Sequence, residues 1–353
     1  MPANMIAVGR FEVNLASQLG DGGFGKVYRA KDLSEMPPIA VAAKNLTLET
    51  ESDRETVQKE VDMLKLVAGH PSVITCHGFE EVAGPPKTAW VFMELASGGE
   101  LFDRLIDSGN LTERATWPYA RALVDGVLYC HSKGVVHRDV KLENIMLCVE
   151  DPHAIKLIDF GLAVQLPARP DGTFDTEHLL CDPVGTRSYR APEVSSALGY
   201  KGPAVDVWSI GIVLFSLVSG FFPLEEAKPS DWRYAKLVQD VGRGVGPCDS
   251  IFAMYKRACP FSAELREMLD AMLNINPAKR WSLAAVAECA WMQPPSRGDA
   301  EPMEYDDDNG LPIYRSAGLG GSCDEFNEPF QAPPEAVPIQ RQRADRGAGG
   351  WAG

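Results

Sequence analysis

The sequence contains no CxxC pair and no cysteines at zinc-ligand spacing, although its 353 residues include eight cysteines, at 76, 130, 148, 181, 248, 259, 289 and 323. Thiols scattered in this way argue against a disulfide-stapled scaffold and point to reduced cysteines in a cytoplasmic chain, with access to the nucleus left open. The N-terminal stretch MPANMIAVGR has no apolar core of the kind a secretory leader needs, so none is expected. Long hydrophobic runs are also scarce. The longest, Ile210 to Leu224, is broken by Ser and Gly; at about 15 residues it is too short for a bilayer crossing and suits a buried helix. Basic charge is in deficit, with 34 Lys and Arg against 49 Asp and Glu and a formal net charge of −15. That balance argues against nucleic acid or an anionic membrane as partner, because both need a basic face. It suits a basic peptide.

Hydrophobic residues make up 45% of the chain, enough for a sizeable core. After a short N-terminal extension, 1–10, residues 11–95 carry β-type runs (FEVNLASQLG, GKVYRA, IAVAAKNL, ITCHGFEE, TAWVFMEL) and one helical pattern. Ser52 and Glu55 are spaced as a capping box at the start of that helix, and Val57, Val61, Leu64 and Ala68 share one of its faces. Gly98 and Gly99 break the pattern, and the segment 96–292 is mainly helical. Within it a helix capped by Thr112 is expected to be kinked or shortened by Pro118. DVWSIGIVLFSLVSG is apolar all round and therefore central. From 293 to 353 the composition turns acidic, then rich in Pro, Gly and Arg, and a mostly disordered tail is expected.

Four groups of residues suggest chemistry. The first is LGDGGFGKV, which places Gly20, Gly22 and Gly25 between two strand-like runs, where backbone N–H groups can approach phosphate oxygens; a glycine-rich hairpin is the plain alternative. A dinucleotide fold would need a helix directly after the loop, and KVYRA reads as a strand. The second is Lys44, which ends an apolar strand; Glu60, on or beside the inward face of the helix, is its natural partner. The third is VVHRDVKLENIML, with Asp139, Lys141 and Asn144 in a tight loop. The fourth is Asp159 in KLIDFGLA. Asn144 and Asp159 offer hard oxygen ligands suited to Mg²⁺. Asp139 can accept the proton of an attacking hydroxyl, and Lys141 can neutralise a transferring phosphoryl group. Together these residues fit metal-assisted phosphoryl transfer to an alcohol.

Taken in order, Gly20-x-Gly22-x-x-Gly25-x-Val27, Val41-Ala42-Ala43-Lys44, Glu60, His137-Arg138-Asp139, Asn144, Asp159-Phe160-Gly161 and Ala191-Pro192-Glu193 resemble the signature set of eukaryotic protein kinases. The resemblance covers residues 11–292. It implies an α+β, two-lobed fold with a small β-rich N-lobe, 11–95, holding one key helix, and a larger, mainly helical C-lobe, 96–292. It implies ATP and Mg²⁺, with Mn²⁺ as an alternative ion. The loop Leu19, Gly20, Asp21, Gly22, Gly23, Phe24, Gly25, Lys26 and Val27 would cover the ATP phosphates, and Lys44, oriented by Glu60, would hold two of them. Val27, Ala42 and Met146 would sandwich adenine, Glu94 to Ala96 would read its edge, and Met93 would be the gatekeeper. Asp139 would be the base, Lys141 would steady the γ-phosphate, and Asn144 and Asp159 would bind the metal. His137, Phe160, Leu64 and Cys76 would stack between the lobes, Asp206 would anchor the catalytic loop, and Glu193 would pair with Arg280.

Lys141 and Thr186 resemble the serine/threonine type, and SGGELFDRL resembles the calcium/calmodulin-kinase-like group. Glu100 and Glu143 would then attract an arginine upstream of the acceptor in a protein substrate, although Ser216 stands where basophilic relatives often carry another Glu and Arg190 departs from the group. Arg138 would pair with an activation-segment phosphate. Asp182 occupies the usual phosphoacceptor position and is expected to replace that phosphate in part, with Thr173, Thr176 and Ser188 as alternative modification sites. The tail lacks the basic amphipathic helix of a calmodulin target, and EYDDDNG lacks EF-hand spacing. A monomer is expected. Two rival readings are a pseudokinase scaffold, which usually loses the equivalent of Lys44, Asp139 or Asp159, and a small-molecule kinase, which would lack Lys141 and Ala191-Pro192-Glu193.

Overall fold

Period-two alternation in the first ninety residues builds an antiparallel sheet of six strands: β1 (Met5–Val8), β2 (Phe11–Gly22), β3 (Gly25–Asp32), β4 (Ile39–Leu48), β5 (Cys76–Val82) and β6 (Lys87–Glu94), in the order β1-β2-β3-β4-β6-β5. The computed structural model describes residues 4–22, 25–149, 151, 153–294, 304–305, 312–313, 332–342 and 344–345. In β6, Trp90 and Phe92 enter a cluster with Phe11, Val13, Val41 and Ala43, while Ala89 and Val91 face the larger core. Successive strand residues point to opposite faces, so one strand seals both layers. The extension 1–10 is not separate from this lobe, because Met5–Val8 pairs with Asn14–Phe11 as an edge strand.

The helix α1 (Glu51–Leu66) covers one face of the sheet. Its capping box is not Ser52 with Glu55. Thr50 is the N-cap and Asp53 closes the box, with the Asp53 carboxylate accepting from the Thr50 N–H at 2.8 Å and the Thr50 hydroxyl oxygen accepting from the Asp53 N–H at 3.1 Å. Both pairs have the right spacing, and the helix begins at the earlier one.

Arg10 and Asp32 close the far end of the sheet. The Arg10 guanidinium donates to Asp32 at 2.8 Å, and its hydrogen bond is the main reason the buried Asp32 carboxyl lies at about 2, below its ordinary 3.8. A carboxyl with a depressed folded-state pKa stabilises the fold above its unfolded value and loses that contribution as pH falls toward the folded value. The contribution of Asp32 is therefore complete above pH ~4 and disappears toward pH ~2. Arg10→Ala is expected to lower stability throughout the range above pH ~4, where the contribution is complete, and the difference from wild type should shrink toward pH ~2 when denaturant unfolding is followed by circular dichroism at a series of pH values. Equal stability of the two proteins across the series would mean the pair adds none.

The C-lobe consists of α2 (Leu101–Ser108), α3 (Glu113–Ser132), α4 (Gly202–Ser219), α5 (Trp232–Val241), α6 (Pro247–Met254), α7 (Ala263–Met272) and α8 (Leu283–Glu288). Thr112 caps α3 as expected, but Pro118 does not shorten it; the helix runs 20 residues. By length and composition α4 could span a bilayer, yet 89% of its 18 residues are buried within the protein. It is the axis around which the lobe packs, with Phe215 meeting Phe221 and Phe261 edge-on.

A tail without structure is not what residues 332–342 adopt. They lie on the C-lobe with Val337 buried, and Val337–Pro338 pairs antiparallel with Phe222–Phe221. Glu304–Tyr305 likewise pairs with Pro312–Ile313. Composition fails here because a few apolar anchors suffice once a groove exists to receive them. Ala344–Asp345 pairs with Thr186–Gly185. The remaining residues after 294, with Gly23 and Phe24 of the glycine loop, lie outside the described residues.

Candidate active site

β2 ends at Gly22 and β3 begins at Gly25, so the glycine loop is a strand-turn-strand hairpin and not a strand-to-helix turn. Gly25 has φ +129°, and a Cβ there would lie 2.1 Å from the Asn45 carbonyl oxygen, so no other residue fits. Leu19, Gly20 and Lys26 are exposed along the hairpin and Val27 is half-buried opposite Lys44. Ala42 pairs with Met93, which also pairs with Cys76. The half-buried stretch from Glu94 to Ala96 then leads out of β6 toward α2. Glu94 is held by Lys156 at 2.7 Å. Gly98 donates to the Leu147 carbonyl, and a Cβ there would clash with that carbonyl at 2.7 Å. The linker between the lobes is thereby fixed against the three-residue strand Ile145–Leu147, which carries Met146.

Lys44 and Glu60 form the buried pair expected of them, Nζ to Oε1 at 2.6 Å, and Asp159 Oδ1 lies 4.0 Å from the same ammonium. Burial alone would raise the Asp159 carboxyl. Lys44, the Gly161 N–H, His137 and Lys141 outweigh it and hold the group below its ordinary value, so it is an anion in the cleft.

The catalytic loop is built around Asp139. Its Oδ1 accepts from the Thr186 N–H at 3.0 Å and hydroxyl at 2.7 Å; its Oδ2 lies 2.9 Å from Lys141 Nζ and 3.3 Å from Asn144 Nδ2. Lys141 also donates to Thr186 Oγ1 at 3.0 Å, so Thr186 bridges the acid and the amine. Asn144 Nδ2 donates to the Asp139 carbonyl at 2.9 Å, which turns the amide oxygen away from the loop's own backbone. All four side chains are buried.

Two non-glycine residues here have left-handed backbones, Arg138 at φ +64° and Asp159 at φ +61°. Each such residue costs on the order of 1–3 kcal/mol and persists only where its surroundings enforce it. Asp206, fully buried at the start of α4, accepts from the Arg138 N–H at 2.8 Å and the His137 N–H at 3.0 Å. Burial opposes the Asp206 charge, but His131 at 2.9 Å and the loop it anchors keep its carboxyl below the ordinary value. His137 packs edge-on against Phe160 with ring centroids 4.8 Å apart, and Phe160 joins Leu64 and Cys76 in the core between the lobes. Glu193 and Arg280 form a two-bond pair at 2.5 and 3.0 Å, with the Arg280 side chain fully buried.

A protein kinase domain model matches residues 13–292. The chain belongs to the protein kinase family. It is 35% identical over 308 residues to CBL-interacting protein kinase 11 of Oryza sativa subsp. japonica, covering 86% of this chain and 55% of that protein. It is 32% identical over 298 residues to CBL-interacting serine/threonine-protein kinase 24 of Arabidopsis thaliana, covering 83% and 59%. The chain thus spans little more than half the length of these relatives.

The kinase's outer site residues depart from the sequence reading in places. Glu100 is half-buried, and so is Glu143, which accepts from the Tyr189 hydroxyl at 3.2 Å. Burial pushes the carboxyls of both upward. Ser216 is fully buried and Ser188 almost so, the latter donating to the Glu225 carbonyl, whereas Thr176 is exposed, as is Thr173. Arg138 meets the exposed Asp182 at 3.4 Å. Tyr200 has no signal in the sequence, yet its hydroxyl accepts from Arg138 at 3.3 Å and donates to the Asp182 carbonyl at 2.7 Å. Asp103 does have a signal, because it lies one helical turn after Glu100 in SGGELFDRL, and the two acids share a partner.

Proposed function

We propose that the protein transfers the γ-phosphoryl group of ATP to serine and threonine hydroxyls of protein substrates, preferring acceptors with basic residues upstream. The observation that carries this reading is the closed triangle of Asp139, Lys141 and Thr186, with Asn144 and Asp159 beside it. Asp139 takes the hydroxyl proton as the oxygen attacks, Lys141 offsets charge on the transferring group, and Lys44, fixed by Glu60, holds the nucleotide phosphates. Asn144 and Asp159 are hard oxygen donors that fit Mg²⁺, with Mn²⁺ as the alternative. Held by Asn144 and Asp159, such an ion would supply positive charge to offset that of the nucleotide phosphates.

Serine and threonine peptides compared with small alcohols such as choline and aminoglycosides, each with ATP and Mg²⁺, test the reading. Transfer to the peptides alone supports it. Transfer to small alcohols alone, or none to any acceptor, contradicts it.

The ion pair between Arg138 and Asp182 supports partial replacement of an activating phosphate. One exposed carboxylate carries about half the charge of a phosphothreonine, so Asp182→Ala is expected to lower the peptide kcat/KM of phosphatase-treated protein several-fold. Equal activity of the two proteins after phosphatase treatment would rule the replacement out.

A further inference from the structure

Part of the chain's own tail runs through the groove in front of its catalytic residues. The path is set by four contacts in register. Val337–Pro338 pairs antiparallel with Phe222–Phe221 just after α4. Arg341 then sits between two acids of the α2 region, pairing with Glu100 and lying 2.6 Å from Asp103, with its guanidinium 4.9 Å over the Phe102 ring. Next, the Gln342 N–H donates to Glu143 Oε1 at 3.2 Å, while its side chain donates to the Ser188 hydroxyl at 2.6 Å and accepts from the Ser188 N–H at 3.2 Å. Finally, Ala344–Asp345 pairs antiparallel with Thr186–Gly185, with Ala344 directly opposite Thr186.

Thr186 is the residue that donates twice to Asp139 and once receives from Lys141. The residue paired with Thr186 therefore passes next to the proton acceptor and the phosphate-neutralising amine. In the tail that residue is alanine, a residue type with no hydroxyl. Three residues before it stands the arginine that satisfies Glu100 and Asp103. The segment QRQRADRG carries three arginines in a chain whose net charge is −15, so its charge opposes that of the surface it lies on.

We infer that residues 337–342 and 344–345 occupy the protein-substrate groove as a substrate mimic, with Ala344 in the phosphoacceptor position and Arg341 in the site for an arginine three residues upstream. This rests on the phosphotransfer reading above and deepens it. The same contacts define the substrate class: extended peptides with Arg at that upstream position, paired by backbone to Gly185–Thr186. A tethered competitor acts at an effective concentration in the millimolar range, so free substrates compete at a disadvantage until the tail is displaced. The tail is inhibitory because it lacks an oxygen to phosphorylate.

Two measurements on the full chain test this. The first is Ala344→Ser, which supplies the missing hydroxyl. The introduced hydroxyl oxygen would form its bond to the γ-phosphorus as the bond to ADP breaks, ADP leaving with the electron pair and the proton passing to Asp139. Expected is phosphate on the introduced serine, located by mass spectrometry, at a first-order rate independent of protein concentration. The second does not need turnover. A fluorescent peptide with the sequence of residues 337–346 is titrated into the wild-type protein and into Arg341→Glu. Loss of the tail's anchor is expected to tighten peptide binding at least tenfold, as the groove opens. In the peptide assay the same substitution should lower KM with kcat unchanged. Equal peptide affinity for the two proteins overturns the inference, whether or not any peptide is phosphorylated. So does an Ala344→Ser preparation that phosphorylates added serine peptides but carries no phosphate at position 344. Absence of transfer to every acceptor, with the affinity gain intact, leaves the groove assignment supported and counts against the phosphotransfer reading alone.

Discussion

Asp139→Asn is expected to reduce kcat on a serine peptide by about a hundredfold or more, the usual range for losing a positioned general base, while leaving nucleotide affinity near the wild-type value. The amide has nearly the shape of the carboxylate, and its oxygen can still accept from the Thr186 N–H and hydroxyl, which meet Asp139 at 3.0 and 2.7 Å. It cannot take a proton from the attacking hydroxyl, and it no longer offsets the charge of Lys141, 2.9 Å from the carboxylate. Nucleotide affinity depends on a different pair, Lys44 with Glu60, which the substitution does not touch. Steady-state peptide kinetics alongside a nucleotide-binding titration separate the two effects. A kcat within about threefold of wild type, far from the loss expected of a general base, would remove Asp139 from the proton-accepting role.

Glu193→Ala should have the largest effect on stability. It strips both acceptors from Arg280 Nη1 and Nη2 and leaves a fully buried guanidinium whose remaining partners are the carbonyls of Ala204 and Asn274. Removing one partner of a buried ion pair costs about 3–5 kcal/mol, because the surviving charge stays desolvated. For a domain of this size that corresponds to a fall in Tm on the order of 10 °C. Glu193→Gln keeps one acceptor oxygen and should fall by clearly less. Thermal unfolding followed by differential scanning fluorimetry measures both. A shift under about 2 °C in Glu193→Ala would show that Arg280 finds other compensation.

Much of the reacting centre is legible in the chain because its chemistry is local. Asp139, Lys141 and Asn144 lie so close in sequence that a short loop can only bring them together. Lys44 and Glu60 are joined by a physical argument, since a buried carboxylate on an apolar helix face needs a cation. Two kinds of feature resist. Alternatives of equal spacing cannot be ranked, so Ser52–Glu55 reads as the capping box when Thr50–Asp53 forms it. Contacts that depend on distant surfaces leave no local trace. Tyr200 meets Arg138 across 62 residues, and Arg341 meets Glu100 across 241. The tail shows the second limit most clearly. Judged on composition it cannot fold, yet Val337 is buried against strand Phe221–Phe222 because the C-lobe supplies the apolar partner that the tail lacks.

If the buried set around Asp139 delivers phosphate to aliphatic hydroxyls of proteins, the products identify it. Phosphoamino-acid analysis after incubation with ATP, Mg²⁺ and an equimolar pool of serine, threonine and tyrosine peptides, run in parallel with Asp159→Asn, is the most direct test. Phosphoserine and phosphothreonine are expected from the wild-type protein, with no phosphotyrosine, and neither product from the variant. Phosphotyrosine as the main product, or equal yields from both proteins, would contradict the assignment.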